Sequence, residues 1–126
     1  MGLFSTPFHA VDAKPCTESA NILKLYEPLH LVTSGMRVTA LVDTGAEISS
    51  IDKMLIKQLK INAPVVRQVY VRTAHGTQRR DIIRLKVKLR NRIMTGDFTL
   101  SNRKHMKQKI LLGRNLLKGF LIDVSR

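Results

Sequence analysis

From Ile83 to Arg90 the chain alternates without a break. Ile83, Leu85, Val87 and Leu89 are apolar, and Arg84, Lys86, Lys88 and Arg90 are basic. A period of two puts the first set on one face of a strand and the second set on the other. The apolar face must be covered by other elements, while the basic face stays in water. Other segments carry related signals. Val69, Val71 and Thr73 alternate with Gln68, Tyr70 and Arg72, and Met36 to Val42 also alternates. Ile93 to Leu100 follows a turn at Asn91-Arg92, while Ile110 to Leu112 and Phe120 to Val124 are short apolar runs. Leu25 to Thr33 reads as an early strand interrupted by Pro28, with a turn at Ser34-Gly35. Many short strands with little helix predict a closed all-β architecture.

Two short helical pieces are expected. Ser49 and Asp52 have capping-box spacing, with Asp in place of the usual Glu or Gln. Ile51, Leu55 and Leu59 then share one helical face, and Lys53, Lys57 and Lys60 lie elsewhere. This predicts a helix over about 51–60, ending before Pro64, with Asp52 as a capping residue. Asn115 to Lys118 reads as a helical turn. Residues 1–24 show little periodicity. The expected organisation is an arm or extension of unassigned role over 1–30 and one folded domain over 31–126. At 126 residues the chain is long enough for one real core and too short for two.

The net charge is +13, from 22 Lys and Arg against 9 Asp and Glu. Such a field favours acidic partners, against a plainer reading of solubility and solvated strand faces. Four Phe, two Tyr, no Trp and no recognisable nucleic-acid motif argue against nucleic acid. The single cysteine, Cys16, allows no intrachain disulfide and fits a reducing, cytoplasmic setting. No segment reaches the roughly 20 apolar residues of a membrane span. Met1 to Pro7 lacks the basic start and long apolar run of a signal peptide; its formal fit to a myristoylation pattern is read as chance.

Asp43-Thr44-Gly45-Ala46 stands at the exit of the Met36–Val42 strand. A carboxylate at a strand end, a hydroxyl that can tie neighbouring backbones together, and a Gly that lets a second chain approach make the arrangement used by aspartic peptidases. The same triplet also occurs in ordinary turns. The chemistry needs two carboxylates facing one water, and the chain has one such motif. An enzyme built from it must therefore be a homodimer, with two copies of Asp43 across a two-fold axis.

A second segment, Ile110-Leu111-Leu112-Gly113-Arg114-Asn115-Leu116-Leu117, accompanies the first. Together they resemble the retropepsins, the aspartic proteases of retroviruses and their cellular relatives. Val42 to Asp52, Arg103-Lys104-His105-Met106-Lys107 and the ending Lys118 to Ser125 are closer to one branch. That branch is the retropepsin-like proteins of bacteria and archaea often labelled "ATP-dependent zinc protease" and linked to ATP-grasp peptide ligases such as RimK. The resemblance runs from roughly Arg37 to Ser125. It implies a retropepsin-like closed β-barrel with one or two short helices, homodimeric, and an aspartic endopeptidase acting on a peptide or protein.

By that resemblance Asp43 is the catalytic residue. Thr44 would donate its hydroxyl across the dimer axis, and Gly45 would offer backbone to substrate within the Asp43–Ala46 motif. Gly113 and Arg114 would support the site, Arg114 by pairing with Glu47, although the plain alternative is two separate surface charges. Ser49 matches a hydroxyl that supports the catalytic carboxylate. A flap would come from Thr73 to Gln78, including Ala74, His75, Gly76 and Thr77, with Arg79 and Arg80 following directly. Its tip is poorer in glycine than the retroviral pattern. The two arginines suggest acidic side chains in the substrate, against a reading as solvated charge. The link to glutamate-adding ligases sharpens this to acidic, glutamate-rich protein tails.

The sequence supports neither half of the "ATP-dependent zinc" label, and no cofactor or metal is expected. His9, His30, His75 and His105 have no H-E-x-x-H spacing, and Cys16 has no cysteine partner. Gly113 to Gly119 lacks the order of a phosphate loop. Asp81, Asp97 and Asp123 read as surface or turn residues. Two other readings stand beside the enzyme: a non-catalytic retropepsin-fold module that binds acidic peptides or nucleic acid, and a mobile-element protease cut from a polyprotein.

Overall fold

The Ile83–Leu89 alternation holds in three dimensions. In the computed structural model, which describes residues 20–125, Ile83, Leu85, Val87 and Leu89 are buried while Arg84, Lys86 and Lys88 are exposed. The strands in chain order are β1 (Ile22–Leu23), β2 (Tyr26–Leu31), β3 (Met36–Val42), β4 (Ser49–Asp52), β5 (Val65–Thr73), β6 (Gly76–Leu89), β7 (Arg92–Ser101), β8 (Ile110–Leu112) and β9 (Leu121–Ile122). Helix α1 (Lys53–Gln58) follows β4, and the single turn α2 (Arg114–Leu117) follows β8.

Six strands close on themselves in the order β2-β3-β8-β4-β7-β6, with β2 returning to β6 through Leu29↔Leu89, His30↔Lys88 and Leu31↔Val87. Closure removes the exposed edges of an open sheet. The inward faces meet in one core that includes Leu29, Val42, Ile51, Leu85, Phe98, Ile110 and Leu112. Among the described residues the chain is thus mostly β, a closed barrel with two short helices. β5 stays outside the barrel and forms a long hairpin with β6.

Three boundaries differ from expectation. The first lies at α1. Ser49–Asp52 is a strand, parallel to β7 and antiparallel to β8, and the helix starts only at Lys53. Ile51 is fully buried in the barrel core, so that residue is committed to the sheet. Asp52 is the residue before the helix but makes no side-chain cap. Its buried Oδ1 instead accepts the Arg103 backbone N–H at 2.8 Å. The second lies at β2, where Pro28 sits inside the strand opposite Thr39. The barrel therefore takes in residues on both sides of the expected division between 30 and 31; residues 1–19 lie outside the described ones. The third is the last strand, which is only Leu121–Ile122 and pairs in parallel with Ile22–Leu23.

Candidate active site

β3 and β8 run parallel through Ala40↔Ile110, Leu41↔Leu111 and Val42↔Leu112. The ladder continues one residue further, where the Asp43 N–H donates to the Leu112 carbonyl at 2.9 Å. A barrel pairing, rather than a free loop, therefore sets the position of this carboxylate. The chain then doubles back. Gly45 N–H donates to Asp43 Oδ1 at 2.9 Å, and Ala46 N–H donates to the Asp43 carbonyl at 3.2 Å. A Cβ on Gly45 would stand 3.2 Å from Asp43 Oδ1, which is tight. Asp43 is half-buried; Thr44 is exposed, and its hydroxyl makes no hydrogen bond among the described residues.

The segment after β8 clamps this loop. Arg114 N–H donates to the Ala46 carbonyl at 2.8 Å, and Asn115 N–H donates to the Glu47 carbonyl at 3.2 Å. The Arg114 guanidinium donates to the Thr44 carbonyl at 3.0 Å. Gly113 makes the approach possible, because a Cβ there would lie 2.7 and 2.8 Å from Ile48 backbone atoms and 2.9 Å from the Ala46 carbonyl oxygen. Backbone cannot swing aside as a side-chain tip can, so only a residue without Cβ fits.

Ser49 and Asn115 join the two segments from inside. The Ser49 hydroxyl accepts from Gly113 N–H at 2.9 Å and donates to Asn115 Oδ1 at 2.8 Å. The Ser49 N–H also donates to Asn115 Oδ1, at 2.9 Å, and Asn115 Nδ2 donates to the Asp97 carbonyl at 2.9 Å. The Ser49 hydroxyl is therefore spent on Gly113 and Asn115, not on the Asp43 carboxylate that the resemblance assigned to it. Glu47 and Arg114 also differ from the expected pair, since no ion pair joins them. Both side chains are exposed, where water competes with such a pair, and the guanidinium turns to the Thr44 carbonyl. They line one hollow of about 920 Å³ together with Val69, Tyr70 and Val71 of β5.

The expected flap is the tip of the β5–β6 hairpin. Thr73 pairs with Gly76 across a two-residue turn of Ala74 and His75. The Thr73 hydroxyl donates to the Gly76 carbonyl at 2.8 Å and accepts from His75 N–H at 3.2 Å. Gly76 has φ of +108°, a conformation that favours glycine, and Thr77 continues β6 from it. Arg79 and Arg80 line a different hollow, of about 500 Å³, with Lys53, Ser101 and Asn102. They are thus placed away from the hollow that holds Glu47 and Arg114.

Three residues of the region had no such role in the sequence reading. Asn115 is the polar hub of the clamp; its signal was a lone amide inside the apolar run Ile110–Leu117. Asp97, read as a surface or turn residue, receives Arg84 at 2.8 Å and Arg67 at 3.5 Å. The hydrogen bond from Arg84, aided by the charges of Arg84 and Arg67, holds its carboxyl below the usual range despite some burial. Arg103 is buried in the β7–β8 connection, donates to the Gln108 carbonyl at 3.0 Å, and leaves Nη2 without a partner. Burial pushes its guanidinium pKa down, and the charges of Asp52 and Asp43 pull it back up. No sequence signal marked its burial.

Residues 51–126 match the family described as RimB-like, retropepsin-like aspartic endopeptidase RimB. The chain belongs to the RimB-like family. The match begins past Asp43, so within this RimB-like chain the Asp43 loop is tied to the matched part by the clamp just described. No curated protein matches the sequence. Among solved structures, the RimB-like chain is similar to Lpg0085, a protein of unknown function from Legionella pneumophila subsp. pneumophila str. Philadelphia 1. The identity is 21%, with 83% of this chain and 94% of that one covered and a TM-score of 0.60. It is also similar to the EIAV protease complexed with the inhibitor HBY-793, at 16% identity, 74% and 84% coverage and TM-score 0.60. The Simian Foamy Virus (mac) protease follows at 20% identity, 70% and 86% coverage and TM-score 0.53. At these identities the likeness establishes the retropepsin fold. Among the described residues no three His, Cys, Asp or Glu side chains converge. Nor is any helix there long and apolar enough to cross a membrane.

Proposed function

We propose that this chain is an aspartic endopeptidase that works as a homodimer, with Asp43 of each copy forming one catalytic pair. The observation that carries the reading is the clamp of Gly113, Arg114 and Asn115 on the Asp43–Glu47 loop. It presents a half-buried carboxylate at a fixed strand end. The exposed Thr44 hydroxyl, without a partner among the described residues, suits a contact across the two-fold axis. The small sheet of β1 and β9, with Leu121 exposed, supplies an edge for the same contact.

Two carboxylates a few ångströms apart share one proton, and the two apparent pKa values belong to the pair. The ionised member takes a proton from water, the protonated member polarises the scissile carbonyl, and a proton then passes to the leaving amine. Gly45 and Ala46 offer backbone to the substrate, and the Ala74–Thr77 tip closes over it and excludes water. The +13 charge favours acidic segments such as glutamate-rich tails. A cytoplasmic place of action goes with this reading, in keeping with the lone Cys16.

The test is peptide cleavage followed by mass spectrometry, wild type beside Asp43→Asn, from about pH 4 to 8. Neutral and glutamate-rich peptides are offered side by side. Cleavage by wild type and none by the variant is the expected result. A variant as active as wild type removes the dyad, and glutamate-rich peptides cut no faster than neutral ones remove the acidic preference.

A further inference from the structure

The outer face of the barrel where β6 closes on β2 carries an unusual row. His30 stands directly opposite Lys88 on one side and Arg37 on the other, so three basic side chains from β6, β2 and β3 lie abreast. Lys24 and Arg90 line the same hollow of about 460 Å³. Arg37 and Lys88 thus carry like charges on either side of His30. The one acid there gives no relief. Glu27 is buried, receives Arg90 through two bonds of 2.9 Å, and takes the Lys24 backbone N–H at 2.6 Å. Lys24, Arg37 and Lys88 are exposed and have no ion pair among the described residues.

The row is continuous with the candidate active site. Val42 N–H donates to the Leu25 carbonyl at 2.8 Å, so Lys24 borders the strand end that bears Asp43. Arg37 lies six residues back along β3, roughly 20 Å from Asp43 at strand rise. An extended peptide of about six residues would span the distance from Asp43 to Arg37 along this face.

We infer that the Lys24–His30–Arg37–Lys88 face is an exosite that binds an extended acidic stretch of a substrate polypeptide outside the catalytic cleft. Its occupant is an acidic peptide because the row leads from Asp43 and its free charges are all positive. For the identity of the occupant it rests on the acidic-substrate reading; for binding it needs no catalysis. Nucleic acid is the competing occupant, and Tyr26 is the one aromatic side chain in the hollow on which a base could stack.

The experiment is fluorescence anisotropy with a labelled oligo-glutamate peptide of about 12 residues, long enough to span the row. It uses the full chain carrying Asp43→Asn, so that binding is read whether or not the protein cleaves. Arg37→Gln with Lys88→Gln is compared with Lys53→Gln plus Lys57→Gln, which removes the same charge from α1. That helix follows β4, three places from β2 around the six-strand barrel and hence on its far side. Two solvent-exposed charge pairs are worth about fivefold in affinity together. The expected result is a loss of about that size for the Arg37/Lys88 pair, near-wild-type binding for the Lys53/Lys57 pair, and weakening by salt in wild type. Equal losses in both doubles, no loss in the first, or preferential displacement of the peptide by an oligo-uridine of equal length would overturn the inference. Failure of Asp43→Asn to abolish cleavage in the separate activity test would strike the dyad and leave this binding result standing.

Discussion

Ser49 and Asn115 lie 66 positions apart in the chain, yet one side-chain oxygen of Asn115 takes both the backbone N–H and the hydroxyl of Ser49, at 2.9 and 2.8 Å. Ser49 in turn accepts the Gly113 N–H. This small buried network joins the loop after β3 to the turn after β8, the two segments that present Asp43.

Ser49→Ala leaves the buried Gly113 N–H without its acceptor. An unsatisfied buried donor costs about 1–3 kcal/mol. Urea unfolding should show a loss of that size with an unchanged m-value, and turnover should fall through a loosened Asp43 loop. A variant as stable as wild type would mean that water replaces the hydroxyl.

Gly113→Ala places a methyl group against the Ile48 and Ala46 backbone. Overpacking of this kind costs about 1–3 kcal/mol. The neighbouring Gly119→Ala tests a different cause, since Gly119 has φ of +83° and an added Cβ would meet the Arg92 guanidinium, a movable side-chain end. Peptide cleavage should be lost in the first variant and kept in the second, because only Gly113 touches the Asp43 loop.

Asp97 should make stability depend on acid. Its folded carboxyl titrates below the ordinary range of an aspartate, chiefly because of the Arg84 hydrogen bond. A carboxyl of lowered pKa stabilises the fold above its unfolded value, and that contribution is lost as pH falls through the folded one. Asp97→Asn should therefore cost about 0.2–1 kcal/mol at pH 7, with the gap to wild type closing as pH falls below the ordinary carboxylate range. Denaturant midpoints measured across this range decide it; a constant gap would assign the effect to packing.

Arg90→Met should be among the more damaging changes outside the candidate site. It leaves Glu27, only 2% exposed, without its guanidinium fork. Losing the charge-assisted bonds to a buried carboxylate costs about 1.5–3 kcal/mol. Thermal unfolding of Arg90→Met should show the loss, and adding Glu27→Gln to it should recover part. No recovery would locate the damage in the Arg90 turn, where φ is +57°.

The strands were legible because their signal is local. Met36–Val42 and Ile110–Leu112 have the bounds that alternation and apolar runs suggested, and the buried face of β6 is the one its period of two assigns. Position 49–52 was misread for the opposite reason. Its polar residues have capping-box spacing, and their true partners, Asn115, Gly113 and Arg103, lie 51 to 66 residues away. A local rule cannot see a partner that folding brings from that distance.

By itself the sequence determined the all-β class, the alternating faces, the positive field and the Asp43-Thr44-Gly45 motif at a strand exit, since each depends on residues within a few positions. Only the tertiary structure decided that β2 closes on β6, that Asn115 rather than a carboxylate receives Ser49, and that Arg114 turns to Thr44 instead of Glu47. These are pairings between distant segments. Each polar group had several partners of suitable chemistry, and the geometry of the closed barrel selected among them.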